Sequence, residues 1–468
     1  MLRSFTKKNF IVGAVLTAIV AIVIGFKYFS DQAKEGSNMK LLSPQAFKSY
    51  QSLEGVINIH HWQNKWGTNV YFVRAPELPI VDVRVIFDAG SARNQNAIPL
   101  AYFSNFLLNH GTAAHNADKI AAEFEMLGAQ YSAGAYRDMA FVNIRSLSEA
   151  KYLDKAIALY ADVISKPQYD EASLSREKQN AISMLKLQAQ TPQSIGEKAF
   201  FEALYPENTY AYWELGDEKS IQKIKPKDLN LFHQNFYVQN NAAVIIVGDV
   251  SLENANAISE QVLEGLPAGQ KAPTLASVKM PIKQIEKKIK FSSTQTHIMY
   301  GMPVLKRQDP DYYSLVVGNH ILGGNSQNNR VFDTVRGKHG LAYSAYSYFQ
   351  PMAEAGPFMM VCQTRAEEAA RAKGLLESLL KDYIAHGPTE DELAEAKQNL
   401  LGGYPLLFDS NSNIASQLSI LGFYDLPLDY FNQYQNNVDK VTTASIKDAF
   451  ARRIDLKKMV TVMVGEST

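Results

Sequence analysis

Three things are scarce in this sequence, and each scarcity excludes something. Cys362 is the sole cysteine, so no internal disulfide and no cysteine-built zinc site can form. It sits in a strand-like run, where a lone cysteine packs as a small apolar side chain. Charge of either sign is not in excess: 47 basic and 47 acidic residues cancel, which leaves no net field to attract nucleic acid. Long apolar runs are also scarce, and the N-terminal one stands apart. The 468 residues exceed what one core accommodates and imply at least two domains. The 24 Tyr and 23 Phe favour sheet.

That apolar run extends from Phe10 to Phe26, preceded by Arg3, Lys7 and Lys8. Its length approaches that of a bilayer span, and the flanking positive charge keeps the N-terminus cytoplasmic. No Ala-x-Ala cleavage site follows directly. Residues 1–29 are therefore predicted as an inner-membrane, single-pass anchor through residues 10–26, with a periplasmic body. The alternative is a signal segment that is cleaved, releasing the body to the periplasm. Residues 30–48 read as a polar linker.

From Val56 onward, Val56–Trp62, Asn69–Arg74 and Val81–Phe87 alternate apolar and polar residues as strands do, with turns at Gly67 and Pro76–Pro79. Pro99–Leu108 and Asp118–Leu127 read as helices, Gln130–Leu147 as strands, and Glu149–Ile164, Ser173–Leu187 and Leu229–Phe236 as helices before the strand at Ala242–Asp249. Residues 266–282 turn to Pro, Gly, Ala, Lys and Ser, and are predicted to link two domains, 49–265 and 283–468. The second resembles the first. Glu177-Lys-Gln-Asn180 matches Ala396-Lys-Gln-Asn399, and Val244–Asp249 matches Val460–Glu466, at nearly constant offset. The expectation is an α+β fold of two homologous halves, each an antiparallel-rich sheet covered by helices, joined by a flexible segment and enclosing a cleft.

One stretch of the second half is dense in signals. Gly323, Gly324 and Asn325 suggest a close backbone approach. Val331 and Val335 share a helix face, Gly337 and Gly340 stop that helix, and a Tyr-rich strand begins at Leu341. This order brings Arg336 and Tyr343 together.

Two α+β halves, the Leu322-Gly-Gly segment, Arg336 with Gly340-Leu-Ala-Tyr343, and Phe87-Asp-Ala-Gly-Ser-Ala-Arg93 together resemble the inverted zinc peptidases of the pitrilysin and mitochondrial processing peptidase family, and specifically the non-zinc subunit of its two-chain bacterial type. The resemblance runs from about Val56 to the C-terminus. It implies a His-x-x-Glu-His zinc motif on the first helix, with a further Glu some seventy to eighty residues on. Here the matching positions are Tyr102-Phe-Ser-Asn105-Phe106. Two aromatic rings replace the histidines, and an amide that cannot take a proton replaces the base. The further Glu is expected near Ser183–Met184, with Glu177 too early, so all four zinc-site residues read as lost and this chain is expected to hold no metal.

No other metal set replaces them. His60 and His61 are neighbours on a strand and face opposite ways. His110 and His115, near Glu123 and Glu125, lack ligand spacing. In the family, an Arg and a Tyr at the positions of Arg336 and Tyr343 project toward substrate, and the Gly323–Asn325 loop helps hold it. The resemblance thus implies a heterodimer with a zinc-motif homologue, zinc in that partner, and a peptide as substrate. The alternatives are a structural or binding protein reusing the fold and, last, an independent zinc peptidase.

Overall fold

The computed structural model describes residues 51–53, 55–325 and 328–466. The predicted anchor and polar linker, 1–29 and 30–48, lie outside them. No helix among the described residues is long and apolar enough to cross a membrane.

Among the described residues, twelve strands form two sheets. The first comprises β1 (Gln51–Leu53), β2 (Ile59–Gln63), β3 (Asn69–Arg74), β4 (Ile80–Phe87), β5 (Gln130–Ala135), β6 (Ala140–Leu147) and β7 (Ala242–Gly248), in the order β1-β2-β3-β7-β4-β6-β5. The second comprises β8 (Ile285–Lys290), β9 (Gln295–Leu305), β10 (Ala342–Phe349), β11 (Gly356–Arg365) and β12 (Val460–Gly465), in the order β10-β11-β9-β12-β8. Setting β3-β7-β4-β6-β5 against β8-β12-β9-β11-β10 gives the same connectivity. In each sheet one pair is parallel, β3 with β7 and β8 with β12, and the pairs beyond it are antiparallel. The fold is α+β and internally repeated.

The helices that matter here are α1 (Leu100–Phe106), α2 (Ala150–Ser165), α3 (Glu171–Gln188), α4 (Pro192–Leu204), α5 (Pro226–Phe236), α6 (Tyr312–Asn319), α7 (Ala369–His386), α8 (Glu390–Gly403) and α9 (Asn411–Phe423). Both faces of each sheet are buried, which is why β7 reads as an unbroken apolar run rather than an alternating one. One face of the first sheet packs on its own half through Val83, Phe87, Val142 and Tyr160. Its other face, with Tyr71, Ile86, Ile245 and Val247, is covered by Ile414, Leu418 and Leu421 of α9, from the second half. The reverse holds for the second sheet: Met299, Met359, Val462 and Val464 are covered by Ala199, Phe200 and Leu204 of α4, from the first half. A glycine marks each close approach. A Cβ on Gly196 of α4 would lie 3.0 Å from the Met299 methyl, and one on Gly422 of α9 would lie 2.8 Å from the Tyr71 ring.

The connection between halves is not a loose tether. Helix and strand are absent between Gln261 and Ile285, as the composition predicts, but the segment is fastened along its length. Gln239 and Asn240 donate backbone N–H groups to the carbonyls of Pro267 and Ala268 at 3.0 Å. Ala272 N–H donates to Asn241 Oδ1 (2.9 Å), and Arg93 reaches the Pro273 carbonyl (2.6 Å). The prediction of a flexible joint is corrected accordingly: a segment too polar for a core is held by backbone hydrogen bonds instead.

Candidate functional site

The helix α1 carries the degenerate motif. Tyr102 and Phe106 lie four residues apart and stack, with centroids 5.6 Å apart and planes within 14°, as helical spacing dictates. Asn105 points the other way, is 2% exposed, and is fixed from beneath. Its amide donates to the Phe141 carbonyl (3.2 Å) and to the Tyr237 hydroxyl (3.1 Å). It braces α1 against β6 and against Tyr237, the residue that follows α5, and has no proton-accepting role to play.

Met184 is 42% exposed, and the residue that the fold sets beside Tyr102 is Glu177. The two are 75 positions apart, and the Tyr102 hydroxyl donates to Glu177 Oε1 at 2.9 Å. Glu177 Oε2 accepts from Asn180 Nδ2 at 3.2 Å, and the carboxylate is 2% exposed. Glu177 and Met184 share a face of α3, and of the two it is Glu177 that meets α1. Two turns further on, that face has emerged into solvent. The three motif positions on α1 are substituted, and a buried carboxylate, Glu177, lies against the first of them.

The donor set does not fit zinc. A ligand must shed its proton to bind a cation, and burial, reinforced by the Glu177 charge and hydrogen bond, pushes the Tyr102 phenol well above its usual titration range. Phe106 has no donor. Elsewhere, His115 Nε2 lies 3.5 Å from Glu123, and His60 and His61 pack against separate rings, those of Phe72 and Tyr71. Among the described residues, no group of three or more His, Cys, Asp or Glu has a metal-holding arrangement.

The second-half site is built on a helix end. Asn329 caps the helix at Arg330–Phe332, accepting from Phe332 N–H at 2.8 Å. A turn of π-helix continues over Asp333–Lys338, with Val331 and Val335 buried in the core. Gly340, at φ +60, ends it: its N–H donates to the Arg336 carbonyl (3.0 Å), and Leu341 N–H to that of Val335 (2.9 Å). Only a residue free of a Cβ takes this left-handed cap without cost. The chain then enters β10, the edge strand of the sheet. There Ala342 faces Thr364 and Ser344 faces Gln363, which leaves Tyr343 as the extra residue of a β-bulge. Bulges re-aim side chains, and Tyr343 projects outward, 82% exposed.

Arg336 is consequently held between two rings. Its guanidinium lies 5.0 Å from the Phe332 centroid and 4.8 Å from that of Tyr343. Phe332, four residues back on the same helix, is a neighbour that sequence reading missed, although its spacing signals it. Arg330, six residues earlier, differs: it pairs with both Glu392 oxygens at 2.7 Å and is structural. Among the described residues Arg336 makes no ion pair. Beside it lies an open groove of about 440 Å3, also lined by Gln295, Gln363 and Arg365.

The predicted Gly323–Asn325 loop proves to be mostly a turn of π-helix, His320–Gly324. Gly323 is buried, and a Cβ there would lie 2.4 Å from Ser347 Oγ and 2.6 Å from Ser347 N. Gly323 serves close packing against β10. Among the described residues, no hydrogen bond, ion pair or shared cavity joins Arg336 or Tyr343 to Tyr102 or Glu177.

Two family models match the chain: "Insulinase (Peptidase family M16)" over residues 69–217 and "Peptidase M16 inactive domain" over residues 223–400. The solved structure of a peptidase M16 inactive domain from Pseudomonas fluorescens is 37% identical, with a TM-score of 0.84, covering 88% of this chain and 98% of that one. The chain belongs to the M16 peptidase family. A non-peptidase homolog, YmxG of Helicobacter pylori, is 24% identical over 89% of this chain and 96% of its own length. The beta subunit of the mitochondrial-processing peptidase of Blastocladiella emersonii is 22% identical over 85% of this chain and 87% of its own. Within the M16 family this chain is an inactive homologue: it keeps the two-half peptidase fold and has lost the zinc motif.

Proposed function

We propose that this chain is the non-catalytic, substrate-handling subunit of a heteromeric zinc metallopeptidase acting on peptides or unfolded chains. The observation that carries this reading is the contrast at Arg336. An exposed guanidinium without an acidic partner, held between Phe332 and Tyr343, is available to a peptide carbonyl or carboxylate, while the chain's own water-activating position is Asn105. The zinc would be the partner's, held by a homologue with an intact His-x-x-Glu-His motif, and Tyr343 would steady the developing oxyanion there. The apolar run at residues 10–26, with positive charge before it, supports tethering to the inner membrane with the body in the periplasm.

The test is co-expression with a zinc-motif homologue, followed by peptide hydrolysis. Arg336→Ala and Tyr343→Phe are each expected to lower kcat/KM by about a hundredfold without dissolving the complex. Unchanged rates in a genuine complex would contradict the shared site. They would leave the second reading, a structural or binding protein reusing the peptidase fold, which the non-peptidase homolog among its relatives favours.

A further inference from the structure

The cavity where the two halves meet holds charge that neither half uses. Its volume is about 600 Å3, and its walls come from β3 and β4, from residues 306–308 and 422–425, and from the connecting segment at Lys271–Leu275. That lies within the size range of small-molecule sites, about 300–1,000 Å3. Most of its charged groups are already paired. Arg93 clasps Asp88 at 2.6 and 2.5 Å, and Lys306 pairs with Glu354 at 2.7 Å. Of the positive groups Lys271 and Arg307 remain, and among the described residues neither has a carboxylate within ion-pair distance. Arg307 is held by rings instead, 5.2 Å from the Tyr312 centroid and 6.0 Å from that of Tyr424. Its Nε is buried and has no hydrogen-bond acceptor. Such a donor carries a desolvation cost that an acceptor removes, and a charged one carries more.

We propose that this cavity binds a small anion bearing a carboxylate or phosphate group, with Arg307 as its hydrogen-bonding fork and Lys271 as the second positive charge. The planar guanidinium matches two oxygens at once, which a lysine does not. Asp425, also on the wall, sets a limit: a ligand with a second anionic group must hold that group away from it. Because Lys271 belongs to the connecting segment and Arg307 follows β9, a bound anion ties that segment to the second half. Binding to the folded state alone raises Tm by mass action.

The experiment uses the full chain, titrated calorimetrically and melted with inorganic phosphate or with succinate, at an ionic strength held constant with chloride. Saturable binding and a rise in Tm are expected for at least one of the two. Phosphate alone identifies a phosphate site, and succinate alone a carboxylate site. Arg307→Gln is expected to weaken binding by roughly tenfold or more, and Arg307→Lys to recover part of the loss. Lys271→Gln, at an exposed position, weakens binding several-fold and decides the matter should Arg307→Gln fail to fold. Saturable binding of neither anion, or unchanged binding by Lys271→Gln and a folded Arg307→Gln, overturns the proposal.

Discussion

The site on α1 and the site at the start of β10 occupy the two halves of a repeat, yet they stand in opposite electrostatic conditions. At the first, both oxygens of Glu177 accept hydrogen bonds from Tyr102 and Asn180, and the Asn105 amide donates twice. Glu177 and the Asn105 amide are answered from within the chain. At the second, Arg336 faces solvent between two rings, beside a tyrosine that a bulge turns outward. The difference separates a site that has become structure from one still equipped for a ligand. It also shows how a buried carboxylate persists there without a metal: both of its oxygens are satisfied by hydrogen bonding.

The comparison presumes that the halves form one body, and the largest effect should come from undoing that. Asp138, in the turn between β5 and β6, accepts from Tyr210 OH (2.5 Å), Tyr424 OH (2.8 Å) and Ala353 N–H (2.8 Å), so one buried carboxyl links both halves. Asp138→Ala leaves these donors without an acceptor and should cost about 3–5 kcal/mol. Denaturant unfolding would read it, and a loss below 1 kcal/mol, roughly that of an ordinary surface change, would mean that the helix exchange alone joins the halves.

Acid should act next, through the first half. His233 is buried, gives a hydrogen bond to the Ile164 carbonyl (2.7 Å) and has its pKa lowered to about 4 from 6.5 by burial. Between those values the unfolded chain binds a proton that the folded chain refuses. Stability from this group is therefore complete above pH 6.5 and is lost as pH falls toward 4, by about 3 kcal/mol in total. The pH profile of Tm for His233→Gln should be flatter over that window, and an unchanged profile would assign the acid response elsewhere.

Two smaller changes sharpen the contrast between the sites themselves. Gly323→Ala drives a Cβ into Ser347 and should cost about 2–3 kcal/mol, displacing the turn that precedes Arg336. If stability is unaffected, the close packing assigned to that glycine is wrong. Tyr102→Phe removes one of the two donors to Glu177 and should cost about 1–2 kcal/mol. Hydrolysis by a complex with a zinc-motif partner should not change. A large fall in that rate would make the first-half site more than structural.

Much of this was legible in the sequence, and the exceptions have physical causes. The strands from β3 to β7 follow from alternation and apolar runs, and the repeat from Asn180 and Asn399 at matching places in α3 and α8. The helices α4 and α9 went unassigned because their burial is decided by the opposite half, which local periodicity does not encode. Arg336 and Tyr343 were legible as a pair because Val335, Gly340 and Leu341 dictate the helix end between them. The bulge at Tyr343 was not, since a ladder irregularity depends on β11 as well. The contact between Glu177 and Tyr102 was not legible, because a count along the chain does not say which side chain of α3 reaches α1.

Metal analysis of the purified chain tests the central claim most directly. The account predicts no stoichiometric zinc and no chelator-sensitive hydrolysis by the chain alone, because Tyr102 keeps its proton, hydrogen-bonded to Glu177, and Phe106 offers no donor. Stoichiometric zinc that disappears in Tyr102→Phe or Glu177→Gln, with activity abolished by chelator, would contradict it.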